Sequence, residues 1–143
     1  MGDTFDRSAE DLGNIVGLEH VNVTVPDQRL AILFYLTGMG FTRDPFLMTG
    51  VMNMWVNIGR SQIHMPVKKP QVIRGHTGLV IPNLTSLVDR LELVQGDLAD
   101  TKFDFTKSND RVDVICPWGN EFRVYAPDPQ FGPVQLGVAY VEY

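Results

Sequence analysis

GLEHVNVTVPD (residues 17–27) and RGHTGLVIPN (residues 74–83) follow one pattern. In each, a histidine, His20 or His76, is followed by five residues and then by Pro26-Asp27 or Pro82-Asn83. An apolar helical pattern comes next, carrying Leu30, Leu33 and Phe34 in the first segment and Leu84, Leu87 and Leu91 in the second. The histidine, the proline and the residue after it each recur at an offset of 56 residues. A period of that size met twice describes a duplicated supersecondary unit; a solenoid needs three or more repeats to bury a continuous core. The spacing predicts one domain with internal pseudo-symmetry. The remaining histidine, His64, closes the strand-like run between the two segments.

Outward from the first segment, Val21, Val23 and Val25 alternate with His20, Asn22 and Thr24, the pattern of a half-buried strand with His20 on its polar face. Asp27 is placed to cap a helix that runs through Leu36 and breaks at Gly38 and Gly40. Strands are predicted at 41–43, 51–58 and 61–65, the last two joined by a turn at Gly59-Arg60. The second segment repeats this order: a strand at 76–81, a helix at 84–94 capped by Asn83, then strands near 102–105, 111–116 and 121–125. Pro117-Trp118-Gly119-Asn120 supplies the final hairpin turn. The fold class is α+β, with two tandem βαβββ modules at about residues 15–67 and 74–127. Residues 1–14 read as a flexible tail. Residues 128–143 form an extension whose run from Val134 to Val141 has the character of an edge strand or an intersubunit contact.

With 143 residues, 44% of them apolar and 20% charged, the chain can bury a sizeable core and is not composed like a disordered one. The net charge is −5 and the basic residues are scattered, so the electrostatic footprint of a nucleic-acid or anionic-membrane partner is missing. No apolar run approaches the roughly 20 residues that span a bilayer, and the opening MGDTFDRSAEDLGN lacks the features of a signal peptide. Cys116, in the apolar run VDVICPW, has no intrachain partner and reads as a buried reduced thiol, which points to a cytoplasmic location.

A doubled βαβββ unit carrying His-x5-Pro-Asp, then FYLTGMGF (residues 34–41), then a Gly119-Asn120 turn before the last strand resembles the vicinal oxygen chelate superfamily. Glyoxalases, extradiol dioxygenases, fosfomycin-resistance enzymes, certain epimerases and bleomycin-sequestering proteins belong to it. The likeness covers about residues 15 to 127, and FYLTGMGF is its most specific stretch. It implies a cupped, mostly antiparallel pair of half-barrels that holds a divalent metal, with ligands on the first and last strands of each module. Carried over position by position, those ligands are His20, His64 and His76. The fourth position departs from the pattern, because the count from Gly119 lands on Arg123 where a glutamate is usual. The internal repeat agrees, aligning Ile63-His64-Met65 with Phe122-Arg123-Val124. Glu121 shares the face of Arg123 but lies roughly 6–7 Å along the strand.

Three neutral imidazoles suit a divalent Zn, Fe, Mn, Co or Ni ion and leave positions open for water or a chelating substrate. Arg123 offers a planar fork to a carboxylate or phosphate, or else an ion pair to Glu121 or Asp113. Gln62 shares the face of His64 and is a candidate substrate contact. Trp55, with Trp118, Phe122, Met52, Met54 and Met65, reads either as pocket lining or as core. Glyoxalase I chemistry uses a metal-ligating carboxylate as base, and His64 and Arg123 stand in both such positions, so the resemblance points away from classical glyoxalase I. The iron triad of extradiol cleavage, two histidines and a carboxylate, also fails at Arg123. What remains is a metal-dependent enzyme of isomerase, lyase or dioxygenase type acting on a small anionic, oxygen-bearing molecule. His64 and Glu121 are its candidates for proton transfer, and Arg123, Gln62 and Trp55 its substrate contacts. The alternatives are a non-catalytic protein that sequesters a small molecule in the same cup without metal, and a relic with no ligand. The resemblance further implies a homodimer, with the cup built within one chain or across two.

Overall fold

In the computed structural model, which describes residues 17–47 and 52–143, the repeat is visible in the strand pairing. The elements of the first module are β1 (His20–Asn22), α1 (Gln28–Ala31, continued by a wider helical segment, Ile32–Gly38), β2 (Thr42–Arg43), β3 (Asn53–Ile58) and β4 (Ser61–Pro66). Those of the second are β5 (His76–Val80), α2 (Leu84–Val94), β6 (Asp104–Lys107), β7 (Arg111–Ile115) and β8 (Glu121–Tyr125). A short turn of helix, Pro129–Phe131, leads to β9 (Gly137–Glu142). The sheets are ordered β1-β4-β3-β2 and β6-β7-β8-β5-β9. Each module therefore pairs its first strand parallel to its last. The register sets Asn22 against His64 and Gly78 against Arg123, so His64 and Arg123 are structural equivalents, as are Gln62 and Glu121.

Asp27 caps α1 by accepting from the amides of Arg29 and Leu30, and Asn83 caps α2 by accepting from Ser86. The first helix departs from the regular α-helix its sequence predicts. Beyond Ala31 its turns widen to π-helical geometry, with the Met39 amide bonded to the Phe34 carbonyl at 2.8 Å. The consecutive aromatic side chains of Phe34 and Tyr35 are both buried there. β6 begins two residues later than the predicted 102, because Thr101 and Lys102 are held in the turn after α2 by bonds to the Leu98 and Pro117 carbonyls. The expected tail at 1–14, and the start of the expected strand at 51, lie outside the described residues.

One apolar core serves both modules. Phe34 and Tyr35 of α1 pack under the first sheet and also meet Phe122 of β8, at centroid distances of 6.0 and 6.2 Å. Gly38 lets α2 come close: a Cβ there would stand 3.1 Å from Val94 Cγ2. Both sheets thus apply their apolar faces to the same helical layer. Asn120 of the Gly-Asn turn is buried, and it ties down the intermodule linker by accepting from the Ile73 amide and donating to the Gln71 carbonyl, both at 2.8 Å.

β9 adds an antiparallel edge to β5 and is anchored to the first module by the Val138 amide, which donates to Ser61 Oγ at 3.1 Å. Its Tyr140 ring lies across Gly78, where a Cβ would stand 2.1 Å from the ring. Only glycine at 78 admits that ring. No helix among the described residues is long and apolar enough to cross a membrane.

Candidate functional site

The polar face of the first sheet carries His20, Gln62 and His64, with Trp55 and Asn53 beside them on β3. Each imidazole is oriented by a neighbour. The Glu19 carboxylate meets His20 Nδ1, so that nitrogen is the donor of the pair and the ring's direction is set. The Asn53 oxygen sits 2.5 Å from His64 Nε2, which places the proton on Nε2 and leaves Nδ1 bare. Partners of this kind are the ones that fix tautomer and ring direction in metal-binding histidines. The Trp55 indole stacks on His64 at 4.0 Å and meets the edge of His20 at 5.3 Å. Gln62 donates to Asp44 at 3.0 Å and to Asn57 at 2.7 Å, so only its carbonyl oxygen is left for a ligand.

Partial burial, with a smaller contribution from His20, holds the His64 pKa below its ordinary value. The ring is thereby kept neutral, as ligation requires. The sign of its effect on stability follows. His64 contributes stability above the ordinary histidine value near 6.5, and that contribution is lost as pH falls toward the folded-state pKa. Urea titrations at pH 7 and pH 5 should show the His64→Gln protein losing part of the wild-type drop in stability; an unchanged drop would assign it to other groups.

On the second sheet the polar face holds His76, Glu121, Arg123 and Tyr125, joined by Tyr140 and Glu142 from β9. His76 is 6% exposed, and its Nε2 lies 3.2 Å from the Tyr140 hydroxyl and 3.6 Å from Glu142 Oε2. Tyr140 in turn reaches the Tyr125 hydroxyl at 3.4 Å. Burial, then the bond to Tyr125, pushes the Tyr140 pKa up to about 12, so it stays a protonated donor. Asp113 binds Arg111 Nε at 3.0 Å and approaches Arg123 Nε at 3.8 Å. Arg123 thus has a counter-ion, and the repulsion it would exert on a cation is softened.

The structure brings His20, His64, Trp55 and Gln62 together on one sheet, and His76, Glu121 and Arg123 together on the other. Among the described residues of one chain, no group of three or more His, Cys, Asp or Glu side chains is arranged to hold a metal ion. Of the residues read as pocket lining or core, Met54, Met65 and Phe122 are core, and Met52 is exposed. Tyr140 and Glu142 were not legible as site residues. They lie outside the repeat, and only the side-chain parity of the final strand hinted at them. His20 also borders an open cleft of about 420 Å³ with Asn22, Gln71, Arg74 and Tyr143.

A doubled βαβββ chain whose modules each pair their first and last strands in parallel has the glyoxalase-like fold. No family model matches the chain, and no curated protein does. Among solved structures it is similar to FosX, a genomically encoded fosfomycin resistance protein from Listeria monocytogenes, with TM-score 0.61 and 12% identity over 80% of this chain and 94% of that one. A member of the glyoxalase/bleomycin resistance protein/dioxygenase superfamily from Sphaerobacter thermophilus gives TM-score 0.53 and 18% identity, over 78% and 97%. For a lactoylglutathione lyase from Agrobacterium tumefaciens the values are 0.51 and 15%, over 78% and 93%.

Proposed function

We propose that this protein is a divalent-metal-dependent enzyme acting on a small anionic, oxygen-bearing substrate, with each metal centre assembled across a homodimer. The observation that carries the reading is the pair His20 and His64, each with one nitrogen engaged by an oxygen acceptor and the other without a hydrogen-bond partner among the described residues. Two oriented imidazoles on adjoining strands form half of a nitrogen-rich site. The third imidazole, His76, stands on the second sheet, and it forms no group of three with the pair among the described residues of one chain, which supports a centre completed by a second copy of the chain. A FosX mutant structure holds Mn(II) and 1S,2S-dihydroxypropylphosphonic acid, an anion rich in oxygen, which supports both the ion and the substrate class.

In this centre a bound divalent ion would polarise a substrate oxygen as a Lewis acid. The remaining steps fall to the chain. Arg123 holds the anionic end of the substrate, Gln62 offers its carbonyl oxygen, and Trp55 packs on an apolar part. Glu121, exposed and on the same face as Arg123, accepts a proton from the substrate. The second reading is a non-catalytic protein whose cup sequesters a small molecule without metal, with Arg123 as anchor; the Trp55–His64 stack favours it. The buried free thiol of Cys116 supports a cytoplasmic location.

The test mixes two defective proteins, His64→Ala and His76→Ala, under conditions that exchange subunits. Neither homodimer should bind Co(II) tightly. In the mixed dimer one cup takes both defects and the other takes none, so binding returns. Centres built within single chains would leave a defect in every cup, and no recovery on mixing would refute the shared centre.

A further inference from the structure

The position where the carboxylate ligand is usual holds Arg123, yet a carboxylate does reach His76 from another strand. We propose that Glu142, on the C-terminal strand β9, is a metal ligand of the same centre as His76. This rests on the metal reading above. In the β5–β9 ladder His76 and Glu142 stand directly opposite each other, and their side chains share the polar face. Glu142 Oε2 lies 3.6 Å from His76 Nε2. That separation is too long for a hydrogen bond. It matches two ligands of one ion, since donors about 2.1 Å from a tetrahedral metal lie about 3.4 Å apart. The His76 nitrogen and the Glu142 oxygen therefore already stand at the spacing of a chelating pair.

The neighbouring groups favour this assignment. Glu121 also pairs with His76 in register, from β8, but no ion pair joins them. Arg123 is directed to Asp113, at 3.8 Å, and forms no ion pair with Glu142. Glu142 is 67% exposed, so its carboxylate is free to turn toward an ion without disturbing the core. The Tyr140 hydroxyl, 3.2 Å from His76 Nε2, already donates to Tyr125 at 3.4 Å, so its proton does not compete with an ion for the imidazole. The carboxylate missing from the repeat is thus supplied by a strand that lies outside it. The centre becomes three imidazoles and one carboxylate, with Glu142 and His76 from one protomer and His20 and His64 from its partner.

Co(II) titration followed by visible absorption, with metal analysis of the dialysed protein, tests this on the full chain. Glu142→Gln keeps the size and exposure of the side chain, and circular dichroism confirms that it folds. The expected result is that Glu142→Gln weakens Co(II) by about ten-fold or more and alters the absorption of the bound ion, while Glu121→Gln changes affinity less than about two-fold. If wild type binds Co(II) and His76→Ala removes it but Glu142→Gln does not, the ligand assignment falls and the metal reading stands. A larger loss in Glu121→Gln than in Glu142→Gln overturns the assignment in favour of β8. A wild-type protein that takes up no Co(II) overturns both.

Discussion

Phe34→Ala is expected to destabilise the chain by about 3–5 kcal/mol, the usual range for emptying a buried phenylalanine site. Phe34 has no exposed surface, and its ring meets Tyr35 at 4.7 Å, Phe103 at 5.9 Å and Phe122 at 6.0 Å. Tyr35 belongs to the first module with Phe34, whereas Phe103 and Phe122 belong to the second. The vacancy would therefore open where the modules share their core, and the π-helical turn around Phe34 has little freedom to collapse into it. Thermal melting should show one transition lowered by roughly 10 °C. Two separated transitions, only one of them moved by the substitution, would sink the idea of a common core. Leu93, 72% exposed on α2, supplies the contrast: Leu93→Ala should stay within about 0.5 kcal/mol of wild type.

Much of the fold was legible because duplication writes the same physics twice. The offset between His20 and His76 carries the paired N-caps, the paired helices and the parallel pairing of first and last strands. FYLTGMGF is explained residue by residue, with Phe34, Tyr35 and Phe41 in the core and Gly38 where α2 approaches. The widened turn of α1 was not legible, since its apolar spacing also fits a regular helix. Nor was the separation of His76 from His20 and His64. Strand parity places each ring on a polar face, but it does not say how the two sheets stand to each other. Tyr140 and Glu142 escaped for a different reason: they belong to a strand with no counterpart in the first module, so the repeat could not single them out.

Removing a nitrogen donor from the first sheet should have the largest effect on the centre. His20→Ala and His64→Ala are each expected to weaken Zn(II) or Co(II) binding by about 100-fold, or about 2.8 kcal/mol. Each substitution deletes an imidazole whose tautomer was already set, so the remaining side chains would have to bind with one donor fewer. Asn53→Ala leaves His64 in place and removes the oxygen that fixes its proton on Nε2. It should cost less, about ten-fold, because loss of a supporting partner frees the ring without deleting it. Protons compete with the ion for His64 Nδ1, and its lowered pKa should let binding persist to more acidic solution than an ordinary imidazole would allow. Equal losses in His64→Ala and Asn53→Ala would mean that the amide, not the ring, is the element the ion needs. Should His20→Ala and His64→Ala both bind as tightly as wild type, the two imidazoles would be left as the aromatic neighbours of Trp55, and the sequestering reading would take over.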